Sequence, residues 1–308
     1  MRTCIVLLLA SWPALGGAPA TPTVKADPPI RCDSCDAWNR AQEPFRVFGN
    51  TYYVGVAGLS SVLIASDAGL ILLDGGLPQS APLIDANIRK LGFRVQDVRL
   101  ILNSHAHFDH AGGIAALQRA SGATVAASAS GARAIRRGRL PADDPQYAGP
   151  RAGGFPAAKG VRTVADGETL RVGSLAVTAH LTPGHTPGST TWTWRSCDGP
   201  QCLDVVYADS LTAISAPGFR FTGDARHPGA EASFRRSITT IGELPCDILL
   251  TVHPGFTDLE GKLRRLHEQP GGNPFVDPQA CRAYAADAAR RLDERVASER
   301  KAPAAPRP

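Results

Sequence analysis

The sequence predicts an α/β protein whose two halves each combine a mixed β-sheet with helices. Short apolar runs of strand-like composition alternate with helical patterns in the first half, and the same order restarts after a Gly/Pro-rich loop at 149–159. Sequence repeats of 20 to 50 residues are absent, which argues against a solenoid. With 308 residues, 43% of them hydrophobic and 20% charged, the chain can form one large or two modest domains around a real core.

The first half begins as sheet. Over 51–74 the apolar runs are short, rich in β-branched residues and broken by glycines, which predicts successive strands. Ile84, Ile88 and Leu91 then recur at helical spacing, and Gly92 is a stop signal for that helix. The predicted order is therefore strands over 51–74, a helix over 80–91, a strand over 98–102, a helix over 112–121 and a strand near Val125.

The second half again places strands before helices. Its predicted strands lie near Val161 and Thr169 and over 175–181, 190–194, 204–207 and 248–252. Phe234, Ile238 and Ile241 predict a helix before the last of these strands. Asp277 followed by Pro278 has the character of an N-cap and first-turn pair, which predicts a long C-terminal helix.

The N-terminus has the layout of a secretory signal peptide. Residues 1–20 contain one basic residue, an apolar stretch over 5–15 and a small-x-small sequence ending at Ala20, where cleavage is expected. A short buried strand or helix is the alternative. The apolar run is shorter than the about 20 residues that span a bilayer, so no membrane association is expected after cleavage. We expect an extended leader over 21–45 and a disordered tail over 301–308.

Six cysteines remain after removal of the signal peptide, an even number in a chain expected to reach an oxidising compartment. They allow 15 pairings. Cys197 and Cys202 bracket a polar turn between two apolar runs, so a disulfide there would close a hairpin. Cys246 and Cys281 would then join the start of a late strand to the last helix.

Cys32 and Cys35 form a C-x-x-C in the leader. A redox or zinc motif is one interpretation, but no strand precedes the pair and no second such pair exists, so a local disulfide is favoured. The signal peptide and the expected disulfides together predict a periplasmic protein.

The charge pattern argues against a nucleic-acid partner. The 33 basic and 28 acidic residues give a formal net charge of +5, and the basic residues are scattered. Their densest cluster, over 133–139, is a short stretch of the kind found on a solvated helix face. A monomer is the default expectation for the oligomeric state.

The strongest functional signal is the sequence NSHAHFDHAGG at 103–113, directly after a predicted strand. It places His105, His107, Asp109 and His110 within six residues. Zinc readily takes imidazole nitrogen and carboxylate oxygen, and a loop leaving a strand can turn consecutive side chains inward. This segment therefore predicts a metal site.

Two further histidines, His185 and His253, also follow predicted strands. Together the six side chains suffice for two metal ions with three protein ligands each, which leaves positions open for water and substrate. His180 lies on the more polar face of its strand, and His227 and His267 occur in polar stretches. We expect these three to be structural or surface residues.

The H-x-H-x-D-H motif, the Pro-Gly-His at His185 and the late His253 resemble the metallo-β-lactamase fold superfamily over nearly the whole mature chain. The resemblance implies an αββα sandwich of two mixed β-sheets flanked by helices, formed by a single domain over 46–300. Asp74, in Leu-Asp-Gly-Gly, resembles the early strand-end aspartate of that superfamily, which implies a group that orders the metal loop.

Within the superfamily, three features resemble subclass B3 metallo-β-lactamases. The motif begins His105-Ala-His107, Ser210 stands where subclass B1 has a zinc-binding cysteine, and the region 245–254 with Cys281 resembles the B3 disulfide region. The resemblance implies two zinc ions per chain. The first would be held by His105, His107 and His185, and the second by Asp109, His110 and His253.

The resemblance further implies that a hydroxide supplied by the zinc pair opens a β-lactam ring without an acyl-enzyme. Asp109 would be the catalytic residue that orients the hydroxide. Ser210 and Thr212 would bind the substrate carboxylate, with Gln146 as a weaker candidate; for Ser210 the competing interpretation is a hydroxyl that satisfies the loop backbone. The absence of S-x-x-K with K-T-G and of G-x-S-x-G argues against a serine nucleophile.

The main alternative is another dinuclear hydrolase of the same fold, a glyoxalase II-like thioesterase or a lactonase. In those relatives an aspartate after the corresponding strand bridges both metals, and Asp209 lies one residue from Ser210. A non-catalytic zinc-binding protein is the second alternative. Expected export, the disulfides and the Ser-Leu-Thr sequence at 210–212 favour the lactamase.

Overall fold

The apolar strands of the chain form two β-sheets that pack face to face, with helices on both outer faces. The first sheet contains, in sequence order, β1 (Phe45–Phe48), β2 (Thr51–Tyr53), β3 (Val62–Ser66), β4 (Gly69–Leu73), β5 (Val98–Leu102), β6 (Thr124–Ser128) and β7 (Arg162–Val164). The second, ordered β12-β11-β10-β9-β8, contains β8 (Thr169–Val172), β9 (Leu175–Leu181), β10 (Thr190–Asp198), β11 (Gln201–Ala208) and β12 (Ile248–Thr251). The predicted αββα sandwich is confirmed.

The computed structural model describes residues 23–149, 153–223, 227–268 and 271–301, so the predicted signal peptide lies outside the described residues. Its helices are α1 (Cys35–Trp38), α2 (Ala81–Lys90), α3 (Phe108–Ala111), α4 (Ile114–Ser121), α5 (Ala129–Arg137), α6 (Ala230–Glu243), α7 (Leu259–Glu268) and α8 (Ala280–Lys301), with 3₁₀ turns at Pro78–Ser80, Val95–Asp97 and Pro254–Thr257. Within these ranges no helix has both the length and the apolar character needed to cross a membrane.

The central strands are apolar on both faces because each face of the first sheet is covered. In β3 and β4, Leu63 and Leu72 pack toward the layer of α2, α4 and α5, whereas Ile64 and Ile71 pack toward the second sheet. The outer face of the second sheet is covered by α6 and α8. This double coverage explains why these strands are continuous apolar runs in the sequence rather than alternating apolar and polar residues.

The sheet topology brings three loops to one end of the sandwich. Strands β4 to β7 run parallel, so the carboxyl end of β5 opens into the loop that carries the H-x-H-x-D-H motif. The β9–β10 connection carries His185, and the segment after β12 carries His253. The two sheets thus contribute their ligands from opposite sides of one cleft.

The predicted elements lie within a few residues of the observed ones, with some differences. β1, α1, α3, α5 and α7 were not predicted as elements; α7 carries Leu259, Leu263 and Leu266 at helical spacing, but this pattern was overlooked among its charged residues. α8 begins at Ala280 rather than at Pro278, because Asp277 Oδ1 accepts a hydrogen bond from the Gln279 backbone N–H in a preceding turn. α8 also extends to Lys301, one residue into the predicted tail.

Three disulfides are present in the described chain. They join Cys32 to Cys35, Cys197 to Cys202 and Cys246 to Cys281. The second closes the β10–β11 hairpin, where the two cysteines are cross-strand partners, and the third ties the segment before β12 to α8. The Cys32–Cys35 bridge closes one turn at the start of α1.

Candidate metal centre

A buried aspartate shapes the loop that follows β5. Asp74 has a φ of 56° and accepts hydrogen bonds at Oδ1 from the Ser104 backbone N–H (2.8 Å) and from Asn103 Nδ2 (2.9 Å). The hydroxyls of Ser104 (2.6 Å) and Tyr207 (2.9 Å) donate to its Oδ2. Burial raises the pKa of Asp74 to about 6 in spite of these donors. Asp74 therefore fixes the start of the metal loop from behind the cleft.

The rings of His105 and His185 are each held by one nitrogen. His105 Nδ1–H donates to Asp209 Oδ1 (2.6 Å), and His185 Nδ1–H donates to the Thr212 carbonyl (2.9 Å). Each partner fixes the ring orientation and the tautomer, so the Nε2 lone pair is available as a ligand. His105 Nε2 is buried and has no hydrogen-bond partner in the described chain.

His107 is oriented by a residue that the sequence analysis did not single out. Its Nε2 lies 3.3 Å from both carboxylate oxygens of the buried Asp144, to which its N–H donates. Asp144 Oδ1 also accepts a hydrogen bond from the Gln146 backbone N–H (2.8 Å). This arrangement leaves Nδ1 of His107 free to act as a ligand. His105, His107 and His185 offer ligand atoms within 4.8 Å of one another.

A second group of ligand atoms lies beside the first. His110 Nε2 is 3.3 Å from Asp109 Oδ2 and 3.3 Å from His253 Nε2, and the last two atoms are 3.5 Å apart. His253 Nδ1–H donates to the Gly58 carbonyl (3.2 Å). His105, Asp109 and His110 also form a group within 4.8 Å.

The donor sets fit metal ions of the size and preference of zinc. Ligands about 2.0–2.1 Å from a tetrahedral Zn²⁺ lie about 3.3–3.4 Å from one another. The separations among Asp109, His110 and His253 are close to this value. The buried, unpartnered Nε2 of His105 and the imidazole-rich composition agree with the same chemistry.

The electrostatics keep most ligands in the form that binds metal. Burial, with neighbouring imidazoles, lowers the pKa of His105 well below its usual range, and burial lowers the pKa of His185 and of His253 to about 4. Burial opposes ionisation of Asp109, but the His110 ring lowers its pKa well below the usual range. Burial also lowers the pKa of His110, but the carboxylates around it, Asp109 first, raise the value to about 9. A bound cation would take the place of the proton that these carboxylates favour on His110.

Four of the six candidate ligands line a cleft of about 480 Å³. The cleft is lined by Trp38, Ala57, Gly58, His107, Phe108, Asp109, Gln146, His185, Ser210, Thr212, Ile214, His253, Gly255 and Phe256. Ser210 and Thr212 lie together, with their hydroxyl oxygens 3.0 Å apart, and Gln146 Nε2 is 3.4 Å from His185 Nε2. The candidate ligands and candidate substrate contacts thus share one cavity.

Two further contributors were given no role from the sequence. Asn103, left without an interpretation, donates from Nδ2 to the His105 carbonyl (2.8 Å) within its own loop and to the distant Asp74. Trp38 belongs to the leader yet lines the cleft beside His253. No local motif marks the contact of Trp38. His180 instead bonds Thr193 on the second sheet, away from the centre.

The fold and the paired ligand groups define a metallohydrolase. A family model described as the metallo-beta-lactamase superfamily matches residues 54–253, and the chain belongs to this superfamily. Its likeness to solved structures extends to subclass B3 metallo-β-lactamases, which confirms the resemblance noted in the sequence.

Three solved structures define that likeness. The Rm3 metallo-β-lactamase is 52% identical with a TM-score of 0.85 and matches over 88% of this chain and 100% of its own. MEM-A1, a subclass B3 enzyme from a soil metagenome library, is 52% identical with a TM-score of 0.82 and matches over 85% of this chain and 98% of its own. SMB-1, solved with mercaptoacetic acid, is 47% identical with a TM-score of 0.80 and matches over 85% of this chain and 99% of its own.

Curated relatives of another activity are more distant. A hydroxyacylglutathione hydrolase from Anaeromyxobacter dehalogenans is 31% identical over 194 residues, 63% of this chain and 59% of its own length. One from Cereibacter sphaeroides is 28% identical over 175 residues, 56% of this chain and 53% of its own. The chain therefore spans less than two thirds of these two relatives.

Proposed function

We propose that this protein is a zinc-dependent β-lactam hydrolase. The observation that carries the proposal is one cleft in which four of the six candidate metal ligands adjoin the hydroxyls of Ser210 and Thr212, with the other two, His105 and His110, buried beside them. The likeness to subclass B3 enzymes over nearly their whole length supports it. His105, His107 and His185 would hold one zinc ion, and Asp109, His110 and His253 the other. Zinc in such a site supplies a Lewis acid and lowers the pKa of water to about 7.

The chain's own residues would bind and orient the reactants. Asp109 is the one carboxylate among the described residues that line the cleft. It can therefore accept a hydrogen bond from the attacking water and orient that water. Ser210 and Thr212 can donate hydroxyl hydrogen bonds to the substrate carboxylate, and Gln146 can donate from its amide. Ser210 contacts the Thr212 hydroxyl rather than an imidazole base, in keeping with a route that needs no serine nucleophile.

The cleft is better suited to a β-lactam than to a glutathione thioester. Glutathione carries two carboxylates, yet within the described part of the chain neither lysine nor arginine lines the cavity. The position of Asp209 also favours the β-lactam over the thioester. Its Oδ1 contacts Nδ1 of His105, on the opposite side of the ring from the free Nε2, which is the position of an orienting partner rather than of a group bridging two metals.

The solved relative SMB-1 adds a chemical argument. It is described with mercaptoacetic acid and also with 2-mercaptoethanesulfonate, each of which joins a thiol to an anionic group. Thiolates are strong zinc ligands. A comparable pairing of metal and anion-binding hydroxyls in this chain would accept the anionic group of a β-lactam beside its reacting carbonyl.

Hydrolysis of a carbapenem by the zinc-loaded protein, followed by ultraviolet absorbance, tests the proposal. We expect turnover that stops on addition of a chelator and returns with zinc. A hydroxyacylglutathione thioester should be hydrolysed far more slowly. Turnover of the thioester alone, with two zinc ions bound, would replace the lactamase by the thioesterase.

Asp109→Ala sharpens this test. We expect about half the zinc content and a fall in kcat of at least about 10²-fold, since the substitution removes both a ligand and the orienting carboxylate. His180→Ala is the matched control, because this histidine lies outside the cleft and bonds Thr193. Equal rates in the two variants would exclude the assigned second site.

The proposal includes a periplasmic location and a monomeric state. The three disulfides support export, because such bonds persist in oxidising compartments. Fractionation of cells and light scattering of the purified protein test the location and the oligomeric state.

A further inference from the structure

The leader segment reaches the active-site cleft through a single aromatic residue. Trp38, the last residue of α1, lines the cleft, and its ring centroid lies 5.2 Å from that of His253. It also packs directly on Gly58, where a Cβ atom would approach Trp38 Cδ1 to 2.5 Å. Gly58 in turn accepts the hydrogen bond from His253 Nδ1. Trp38 therefore touches both a metal ligand and the residue that orients it.

Two backbone hydrogen bonds dock the leader onto the β2–β3 loop. The Gly58 N–H donates to the Trp38 carbonyl (3.0 Å), and the Ala57 N–H donates to the Arg40 carbonyl (2.9 Å). Both hydrogen bonds require the chain around Trp38 to follow one path. They also give the docking a readout that is independent of catalysis, because amide exchange reports their opening.

The helix that delivers Trp38 is too short to persist by itself. α1 has four residues, far fewer than the about 12 that an isolated helix needs in water. The Cys32–Cys35 disulfide encloses its first residue, and the Cys35 N–H donates to the Cys32 carbonyl (3.1 Å) within the closed turn. The buried Cys35 packs with Val56, Leu59 and Leu77 beneath the cleft. The bridge and this packing hold the turn in place.

We propose that the Cys32–Cys35 disulfide is a positioning element of the active site, which holds Trp38 against Gly58 and His253 as a wall of the cleft. The kinetic consequence rests on the proposed function, whereas the structural consequence does not. A disulfide that closes so short a loop restrains the unfolded chain less than a long-range bridge such as Cys246–Cys281 does. Its loss should therefore cost the fold less stability than loss of that bridge, while it releases one wall of the cleft.

Amide hydrogen exchange of Cys32→Ser/Cys35→Ser tests the structural claim. We expect exchange at Gly58 and Ala57 to accelerate about tenfold, because the hydrogen bonds to the leader open more often. The matched control is Cys197→Ser/Cys202→Ser, which removes another short-loop disulfide at a hairpin tip outside the cleft. Unchanged exchange in the first variant, or equal acceleration in both, would overturn the proposal.

Steady-state kinetics test the route through Trp38. Cys32→Ser/Cys35→Ser and Trp38→Ala should each raise KM for a β-lactam about fivefold, with zinc content unchanged and kcat within about twofold. Combined, they should raise KM no further, since both act through the same side chain. Trp38→Phe, which keeps a ring over Gly58, should restore most of the affinity. Additive effects on KM would show that the disulfide does not act through Trp38.

The two measurements separate the possible failures. If the unsubstituted enzyme hydrolyses no β-lactam but the exchange at Gly58 accelerates as expected, the proposed function fails and the positioning role stands. If β-lactam hydrolysis is present and the exchange and KM are both unchanged, the proposed function stands and the positioning role fails.

Discussion

Each imidazole of the first ligand group is fixed by a partner on its other nitrogen. The partner of His107 is Asp144, whose carboxylate is buried and also caps the Gln146 backbone N–H. A carboxylate in this position holds the ring and raises its basicity as a ligand. The affinity of the first metal site should therefore depend on a residue 37 positions away from His107.

We expect Asp144→Ala to weaken zinc binding at the first site about 10- to 100-fold, because His107 loses the partner that selects its tautomer. Competition with a chromophoric chelator measures this affinity. Asp143→Ala is the control, since the neighbouring carboxylate is exposed and does not contact His107. Equal zinc affinity in the two variants would contradict the role of Asp144.

Ser210 offers a second test at this scale. Ser210→Ala should raise KM about three- to tenfold with zinc content unchanged, as expected for loss of one hydrogen bond to substrate. The control is Ser121→Ala, which removes a hydroxyl that bonds the Leu117 carbonyl on α4. A loss of stability without a change in KM would favour the competing interpretation, in which the hydroxyl forms hydrogen bonds with the loop backbone.

The ligands could be predicted from the sequence, whereas their supports could not. His105, His107, Asp109 and His110 lie in one short segment whose spacing alone indicates metal binding. Asp144 lies in a loop, Trp38 in a four-residue helix of the leader, and Asn103 directly after β5. The contacts of Asp144 with His107, of Trp38 with His253 and of Asn103 with Asp74 form only when the chain packs, and no local pattern encodes them.

At the scale of elements, α8 fixes the loop that carries the candidate substrate contacts. The Leu211 N–H donates to the Tyr284 hydroxyl (3.0 Å), and that hydroxyl donates to the Asp209 carbonyl (3.2 Å). The two hydrogen bonds flank Ser210. Further along, Glu299 accepts from the backbone N–H groups of Phe221 and Thr222, so the helix holds the loop at both ends.

Tyr284→Phe should therefore disturb Ser210 without changing the packing of the ring. We expect a KM about fivefold higher, equal to about 1 kcal/mol of lost substrate binding, and a loss of about 1–3 kcal/mol of stability from the unpaired groups. Kinetics and urea unfolding measure the two effects. Tyr52→Phe, on the first sheet against Phe93, is the control. An unchanged KM would show that α8 only supports the fold.

The elements themselves were predictable to different degrees. β5 and β9 match their predicted bounds because dense apolar runs end at turn residues. α7 has Leu259, Leu263 and Leu266 at helical spacing, but most of its other residues are polar or charged, and a helix of ten residues is stable only through tertiary contacts. The resemblance supplied the αββα sandwich but not the order of strands in each sheet. That order, including the parallel pairing of β11 with β12, depends on long-range packing that periodicity does not encode.

At the scale of the whole molecule, the disulfides differ in the length of chain that they close. Cys246 and Cys281 are 35 residues apart, whereas Cys197 and Cys202 are five apart. In the chain-entropy account, replacing the long-range pair by serines should cost about 4 kcal/mol and replacing the hairpin pair about 2 kcal/mol. Urea unfolding of the two double variants measures both costs. Equal losses would argue against this account.

Metal ions would join the two halves of the molecule, because four ligands come from the loop after β5 and two, His185 and His253, come from the second sheet. An ion that binds only the folded state stabilises it by about 4 kcal/mol at 1,000 times its Kd, so two ions contribute about 8 kcal/mol. Chelation should therefore lower Tm by about 20 °C. In Asp109→Ala, which has lost one site, chelation should lower Tm by about half as much. The same Tm with and without chelator would mean that the sheets hold the cleft together without metal.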